Sequence, residues 1–518
     1  MQGLRDGFWP FEEGVWDPFD EDFPDNFAST PEDLEVIRAH RSKEVSAGRW
    51  SSPLPSTDLL YGMRASPMFV AWQKGKPRVI TDHSASGLNE GIPRDQARVT
   101  YDDMRTFGQV LYVAKQANPG RPIITWKSDV ASAFLNLPAH PLWQLRQLVS
   151  VDGVLYVVRR LVFGNRGSPR IWCSVSALLC WLAIRRLQIP GTHVYMDDFF
   201  GWDFADDVIF FHGQLRPRRQ VLFLILWDHI SCPYEDKKQL HGECLKIIGF
   251  WVDAKRGLIS LPPDSVDDLI ERIQEFLASP ERRARLRDWQ RLAGHLNWML
   301  NVLPWGRPAL SGMYRKMGDK VHTRGFVFLN REVREELLWL VDVIPRAIGV
   351  RFIDSLAWDD SEADLVLWTD AALRLGLSFY YSGNGFCYQI RPPPPGIVID
   401  IFFLELVAIM SAIHYVATFQ HPPRHVLLFT DSLDSVAVLS SLAASEAIHN
   451  APLRGIAEVI LASGVDVRVR HIAGVDNVRA DMLSRLLIDD FRRRFPANRV
   501  HSFVPPRDLL PARWRTCF

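Results

Sequence analysis

The chain has 518 residues, with 60 Lys and Arg against 60 Asp and Glu, and is 47% hydrophobic and 23% charged. That is globular usage on a length exceeding one ordinary core, so several domains are expected. Cys173, Cys180, Cys232, Cys244, Cys387 and Cys517 show no paired zinc-type spacing, which argues against a zinc knuckle or a disulfide framework; the longest apolar run, Ile171 to Ile184, is too short to span a bilayer.

From the N-terminus, residues 1–55 mix acids with Phe8, Trp9, Phe11, Trp16, Phe19, Phe23 and Phe27, and Glu12 to Glu35 holds no Lys or Arg, so a poorly ordered lead-in is expected. No hydrophobic signal segment is present there, and an intracellular location, cytoplasmic or nuclear, without membrane attachment is expected. Lys74, Lys76 and Arg78 lie in a basic loop: Arg78 can fork onto phosphate oxygens while a lysine supplies a point charge, and a solvated loop is the alternative. Ile123 to Ser128 reads as a short buried strand ending in Asp129 and followed by Val130 to Phe134. Phe163-Gly164-Asn165-Arg166-Gly167-Ser168-Pro169 is a glycine-bearing loop leading into an apolar helix, Ile171 to Ile184.

Tyr195-Met196-Asp197-Asp198 then sets two adjacent carboxylates at a tight turn between the apolar stretches Thr192 to Val194 and Phe199 to Trp202. Like charges that close resist joint ionisation unless a cation compensates them, and nucleotidyl transfer uses a metal pair to hold attacking and leaving oxygens. Asp is also a favoured turn residue, so the tetrapeptide alone leaves an ordinary acidic turn open. With Asp129 facing the turn, three carboxylates converge.

Downstream, Val266 to Leu277 and Leu286 to Leu303 read as helices; Leu286, Trp289, Leu292, Leu296 and Leu300 form an apolar stripe, with Arg287, Arg291 and His295 on another face. Basic clusters at Arg216 to Arg219, Arg282 to Arg287 and Arg492 to Arg494 allow phosphate binding despite zero net charge. Asp364 to Thr369 is a strand ending in Asp370, followed by a hairpin across Ser382 to Gly385. Ile401 to Met410 is a nearly all-apolar helix whose early charge, Glu405, needs a partner or a metal if buried. His425 to Thr430 is a buried strand ending in Asp431, Val465 to Val469 alternates as a half-buried strand, and Asp481 starts an apolar helix.

In order and context these segments resemble reverse transcriptases. Asp129 with Phe134, Phe163 to Pro169 and Tyr195 to Asp198 look like the three catalytic motifs; Lys74 to Asp82 with Leu88-Asn89 is similar to the fingers segment that binds the incoming triphosphate. Asp236-Lys237-Lys238 and Ile248-Gly249-Phe250 look like the last palm motifs. Asp370, Glu405, Asp431 and Asp481 resemble the acidic quartet of ribonuclease H, and Gly474 to Arg485 is similar to the ending of that domain in retrotransposons. Thr81 to Ser84 and Ala293 to Trp298 favour a DIRS-like over a gypsy-like relative.

The resemblance implies an α/β (α+β) multidomain protein. After the 1–55 lead-in would come fingers and a ferredoxin-like palm (56–254), a helical thumb (255–325), a connection (326–361), a mixed-sheet ribonuclease H-like domain (362–488) and a Pro/Arg-rich tail (489–518). It implies RNA-directed DNA synthesis and degradation of the RNA in RNA·DNA hybrids, with two Mg2+ ions, or Mn2+, per site. Asp129, Asp197, Asp198 and the Val130 carbonyl would hold the first pair, and Asp370, Glu405, Asp431 and Asp481 the second. Lys237 or Lys238, with Lys238 preferred, would protonate pyrophosphate, a solvent-facing pair being the alternative; Phe134 would exclude a ribose 2′-hydroxyl, a core aromatic beside the palm sheet being the alternative, with Phe163 and Gly164 lining the same substrate site; and His471 would aid product release, a surface histidine being the alternative. Partners would be RNA template, DNA primer, hybrid, deoxynucleoside triphosphates and element-encoded proteins. A domesticated copy that binds nucleic acid without chemistry, or a polymerase with a purely structural ribonuclease half, is the rival reading.

Overall fold

The computed structural model describes residues 2–10, 25–73, 75–318, 320 and 325–518. It is a mixed α/β protein whose backbone separates into two units, one of residues 1–103 and 115–248, the other of residues 104–114 and 249–518.

The first unit is organised on a four-stranded antiparallel sheet in the order Leu240–Gly242, Ile123–Asp129, Asp198–Phe204, His193–Tyr195. Along the chain these strands alternate with two helices, Ser168–Arg185 and Arg218–His229, giving strand, helix, strand, strand, helix, strand with the fourth strand beside the first, a split βαβ plan. The Ile123–Asp129 strand is rich in β-branched and aromatic residues and pairs on both sides, so it is the most enclosed. Trp126, Phe199, Phe223 and Trp227 fill the layer between sheet and helices. Large rings bury much apolar area per residue, which anchors a small sheet firmly.

The lead-in expected to lack order is structured where it is described. Thr30 and Asp33 form a reciprocal capping box at the start of helix Pro31–Ser46, Ile37 is buried with Trp50, Met68 and Tyr156, and Asp33 accepts a bond from Trp72 Nε1 at 2.9 Å. The acids there serve as caps and hydrogen-bond acceptors, which composition alone misread as a solvating excess. Phe11, Trp16, Phe19 and Phe23 lie outside the described residues.

In the second unit, helices Pro263–Leu277, Leu286–Met299 and Arg331–Val343 precede a six-stranded sheet. Leu286, Trp289, Leu292 and Leu296 of the predicted stripe are buried and Leu300, just past the helix end, is half-buried, while Arg287, Arg291 and His295 face solvent. The second helix ends at Met299 rather than Leu303, because Pro304 opens a 3₁₀ turn. The sheet order is Asp466–His471, His425–Thr430, Leu365–Ala372, Gly376–Tyr381, Asn384–Gln389, Arg499–Ser502, with parallel pairing at both edges and antiparallel pairing in the middle. Helices Ile401–Ala417 and Ala447–Ser463 pack into its core. The tail drawn apart from residue 489 instead adds the sixth strand, and Trp514, Cys517 and Phe518 are buried in the same core. None of the described helices is long and apolar enough to cross a membrane.

Candidate functional site

Two sets of carboxylates stand at sheet ends, one in each unit. In the first unit Asp129 and Asp198 are direct cross-strand partners, and Tyr195 pairs with Asp198, so Met196 and Asp197 form the two-residue turn. Met196 has φ +56°, a strained value for a residue with a side chain. The turn is held from outside: Trp172 Nε1 donates to the Met196 carbonyl at 2.8 Å and Val130 N–H donates to the Asp197 carbonyl at 3.3 Å. Burial, then the charge on Asp129, raises the Asp197 pKa, and burial, then the charges on Asp197 and Asp129, lift Asp198 to about 6. Such a cluster favours a compensating cation.

Lys238 supplies part of that charge. Its Nζ lies 3.0 Å from Asp129 Oδ2 and 3.0 Å from Glu235 Oε1. Burial opposes the ammonium, but these bonds outweigh it and raise its pKa. Two buried glutamines that the sequence did not single out fix this corner: Gln239 Nε2 donates to the Asp129 carbonyl at 3.2 Å, and Gln220 Nε2 to the Lys127 carbonyl at 3.0 Å. No local signal marks them, since both contacts cross about a hundred residues of chain.

Lys76 and Arg78 are exposed on the hairpin Met68–Gln73 with Lys76–Thr81, and Arg78 reaches Asp197 electrostatically. Lys74 lies outside the described residues. Phe134 is only 4% exposed and belongs to the core, its ring meeting Phe163 edge-on at 4.8 Å, whereas Phe163 is 43% exposed. Gly164 has a structural reason to be glycine: φ is +103° and a Cβ would lie 1.9 Å from the Thr81 carbonyl oxygen. Gly164→Ala is therefore expected to destabilise the protein by about 2–3 kcal/mol, read as a lower denaturant midpoint at unchanged m.

In the second unit Asp370, Glu405 and Asp431 each bring a carboxylate oxygen within 4.8 Å of the others, and no other three such groups among the described residues, Asp129, Asp197 and Asp198 included, come that close together. Asp370 lies opposite Ser378, two residues before the end of strand Leu365–Ala372, which runs past the expected end at Asp370, and the Glu405 helix is capped by Asp400, which accepts from Phe403 N–H at 2.8 Å. Glu405 Oε1 accepts from Ala371 N–H at 3.2 Å, but Oε2 is buried without a partner. Burial, then the neighbouring charges, pushes Glu405 up to about 9; burial foremost, with Asp431 and Asp481 adding, takes Asp370 to about 7. An orphaned carboxylate oxygen among all-oxygen donors fits a hard divalent cation. Asp481 stands outside this close group, its Oδ1 held by Arg485 Nε at 2.6 Å. His471 is exposed at the end of its strand, also outside the group.

Ser484 and Gly474 were not singled out from sequence as site residues. The buried Ser484 hydroxyl donates to Asp370 Oδ2, and a Cβ on Gly474 would stand 3.1 Å from Asp431 Oδ2. Ser484 lies one helical turn after Asp481, a spacing that could have flagged it.

These pKa values predict a pH dependence. Both acids hold protons in the fold that the unfolded chain releases, so metal-free stability should fall as pH rises from about 4 to about 9. Tm measured across that range in chelator should decline, Mg2+ should reduce the decline, and Glu405→Gln should flatten it.

No protein-family model and no curated protein matches the chain. Solved structures similar to it include a foamy viral protease-reverse transcriptase in complex with dsDNA, at 15% identity, covering 89% of this chain and 86% of that one, with a TM-score of 0.47. Another is the foamy viral protease-reverse transcriptase in complex with RNA/DNA hybrid, at 13% identity, covering 92% and 79%, also with a TM-score of 0.47. At that distance, residue roles rest on the two sites themselves.

Proposed function

We propose that this chain is an RNA-directed DNA polymerase joined to a ribonuclease H, of retrotransposon type. Nucleotidyl transfer belongs to Asp129, Asp197 and Asp198, and RNA hydrolysis to Asp370, Glu405, Asp431 and Asp481. The supporting observation is the pair of carboxylate sets, each at the end of its own sheet and each burdened by raised pKa values. In this reading residues 56–254 are fingers and palm, 255–325 thumb, 326–361 connection and 362–488 the ribonuclease H-like domain, whose sheet and core the 489–518 segment completes.

The carboxylates, with the Val130 carbonyl at the first site, would hold two Mg2+ ions per site, which when bound activate the attacking oxygen and neutralise the leaving one. The remaining work falls to the chain. Arg78, Lys76 and Lys74 offer cationic donors to the triphosphate. Lys238, already protonated beside Asp129, is the proton source for departing pyrophosphate. At the second site Ser484 orients Asp370 and Arg485 holds Asp481, while His471 assists release of the cleaved strand. The substrates are a primed template, deoxynucleoside triphosphates and an RNA·DNA hybrid read by shape and backbone.

Sugar selection follows from Phe134 and Phe163 as an edge-to-face pair, the buried ring supporting the exposed one. Phe134→Val should raise ribonucleotide incorporation about tenfold or more by letting Phe163 recede, measured as alkali-labile sites in the product. Unchanged discrimination would remove both rings from the sugar pocket.

A further inference from the structure

Apart from both carboxylate sets, the second unit contains a cavity of about 410 Å3, lined by helix Arg331–Val343, helix Ala447–Ser463 and the C-terminal segment around Leu510. We propose that it is an oxyanion-binding site, taking a phosphate or carboxylate group on Arg454 and Arg515. Nothing in the polymerase or ribonuclease reading requires it.

Arg454 lines the cavity, is 7% exposed, has a buried Nε without a partner, and makes no hydrogen bond or ion pair among the described residues. A buried guanidinium lacking a counter-anion is costly, and burial indeed lowers its basicity. Of the neighbouring carboxylates, all but Asp508 have other partners. Glu336 accepts from Gly312 N–H at 3.0 Å and Asn450 Nδ2 at 2.8 Å; its charge, with those of Glu335 and Glu332, partly opposes the effect of burial on Arg454 but forms no ion pair with it among the described residues. Glu335 is paired with Arg331 at 2.7 Å, and Glu458 accepts from Trp339 Nε1 and Arg346, each at 3.0 Å. Asp342 is bound to Arg346 at 2.5 Å, and Asp508 is exposed.

Arg515 donates only to backbone carbonyls, those of Leu510 at 2.7 Å and Asp508 at 3.0 Å, so its charge also lacks an anion. Two guanidiniums without carboxylate partners on one small-molecule-sized cavity match the forked recognition of a planar or tetrahedral oxyanion.

The test is thermal unfolding of the full chain and its Arg454→Met and Arg515→Gln forms, in buffer alone, with millimolar inorganic phosphate, and with millimolar glutamate. In buffer alone Arg454→Met should unfold at the same temperature as the unaltered protein or higher, because it removes an uncompensated buried charge. Phosphate or glutamate should raise the Tm of the unaltered protein by several degrees, saturably, and leave both variants unmoved. A response to phosphate names a phosphate-bearing ligand, and one to glutamate alone a carboxylate. Equal shifts in all three proteins would mean an adventitious ion only, and no shift would mean no site. A lower Tm for Arg454→Met in buffer alone would show that the fold already compensates the guanidinium. Each of those three results overturns the proposal.

Discussion

Asp370→Asn is expected to reduce cleavage of the RNA strand of an RNA·DNA hybrid by about a thousandfold or more, equivalent to about 4 kcal/mol of transition-state stabilisation, while primer extension is retained. Asp370 sits among Glu405 and Asp431 with its Oδ2 taking the Ser484 hydroxyl, so the change removes a charge without removing volume. Asparagine also removes the ionisable group that burial foremost, and then the charges on Asp431 and Asp481, lift to about 7, and the metal-free variant should therefore unfold at a higher temperature than the unaltered protein at pH 8. Lost cleavage together with raised metal-free stability distinguishes a functional carboxylate from a structural one. A folding defect would lower both activities and stability. Gel analysis of 5′-labelled RNA in a preformed hybrid and a thermal melt in chelator make the comparison.

Asp197→Asn is expected to do the reverse, lowering primer extension by about a thousandfold or more and leaving hybrid cleavage near normal. Asp197 lies in the turn secured by Trp172 and Val130, so the isosteric amide should keep the backbone while removing a charge coupled to that of Asp129. The Lys238 bond to Asp129 should persist, because it involves neither atom of the altered side chain. Single-turnover incorporation separates this loss from weakened primer binding: the chemical step should fall while the affinity for primed template changes little. Equal loss of both activities would point to a fold defect.

The parts of the molecule written in local pattern were legible. The β-branched run before Asp129, the alternation of Val465, Val467 and Val469, and the stripe from Leu286 to Leu296 each state their own period, and each element forms with the expected face buried. The Asp197 turn and the Glu405 helix were readable because charge stands out against apolar surroundings. What stayed hidden depends on distant partners. Strand Arg283–Arg285 pairs with Phe326–Phe328 across some forty residues, and Arg499–Ser502 joins the sheet edge through backbone bonds that leave no hydrophobic alternation. The order of the segment around Pro31–Ser46 was missed because a capping box and an acid-rich bias use the same residues. Ser484, Gly474, Gln239 and Gln220 act through shape and hydrogen bonding, to which residue type gives little clue.

The most direct test is extension of a labelled DNA primer on a 5′-labelled RNA template with Mg2+ and all four deoxynucleotides, run beside Asp197→Asn. Full-length DNA with shortened RNA from the unaltered protein, and no extension from the variant, is the predicted result. A folded protein that binds the primed template yet neither extends the primer nor shortens the RNA would contradict it.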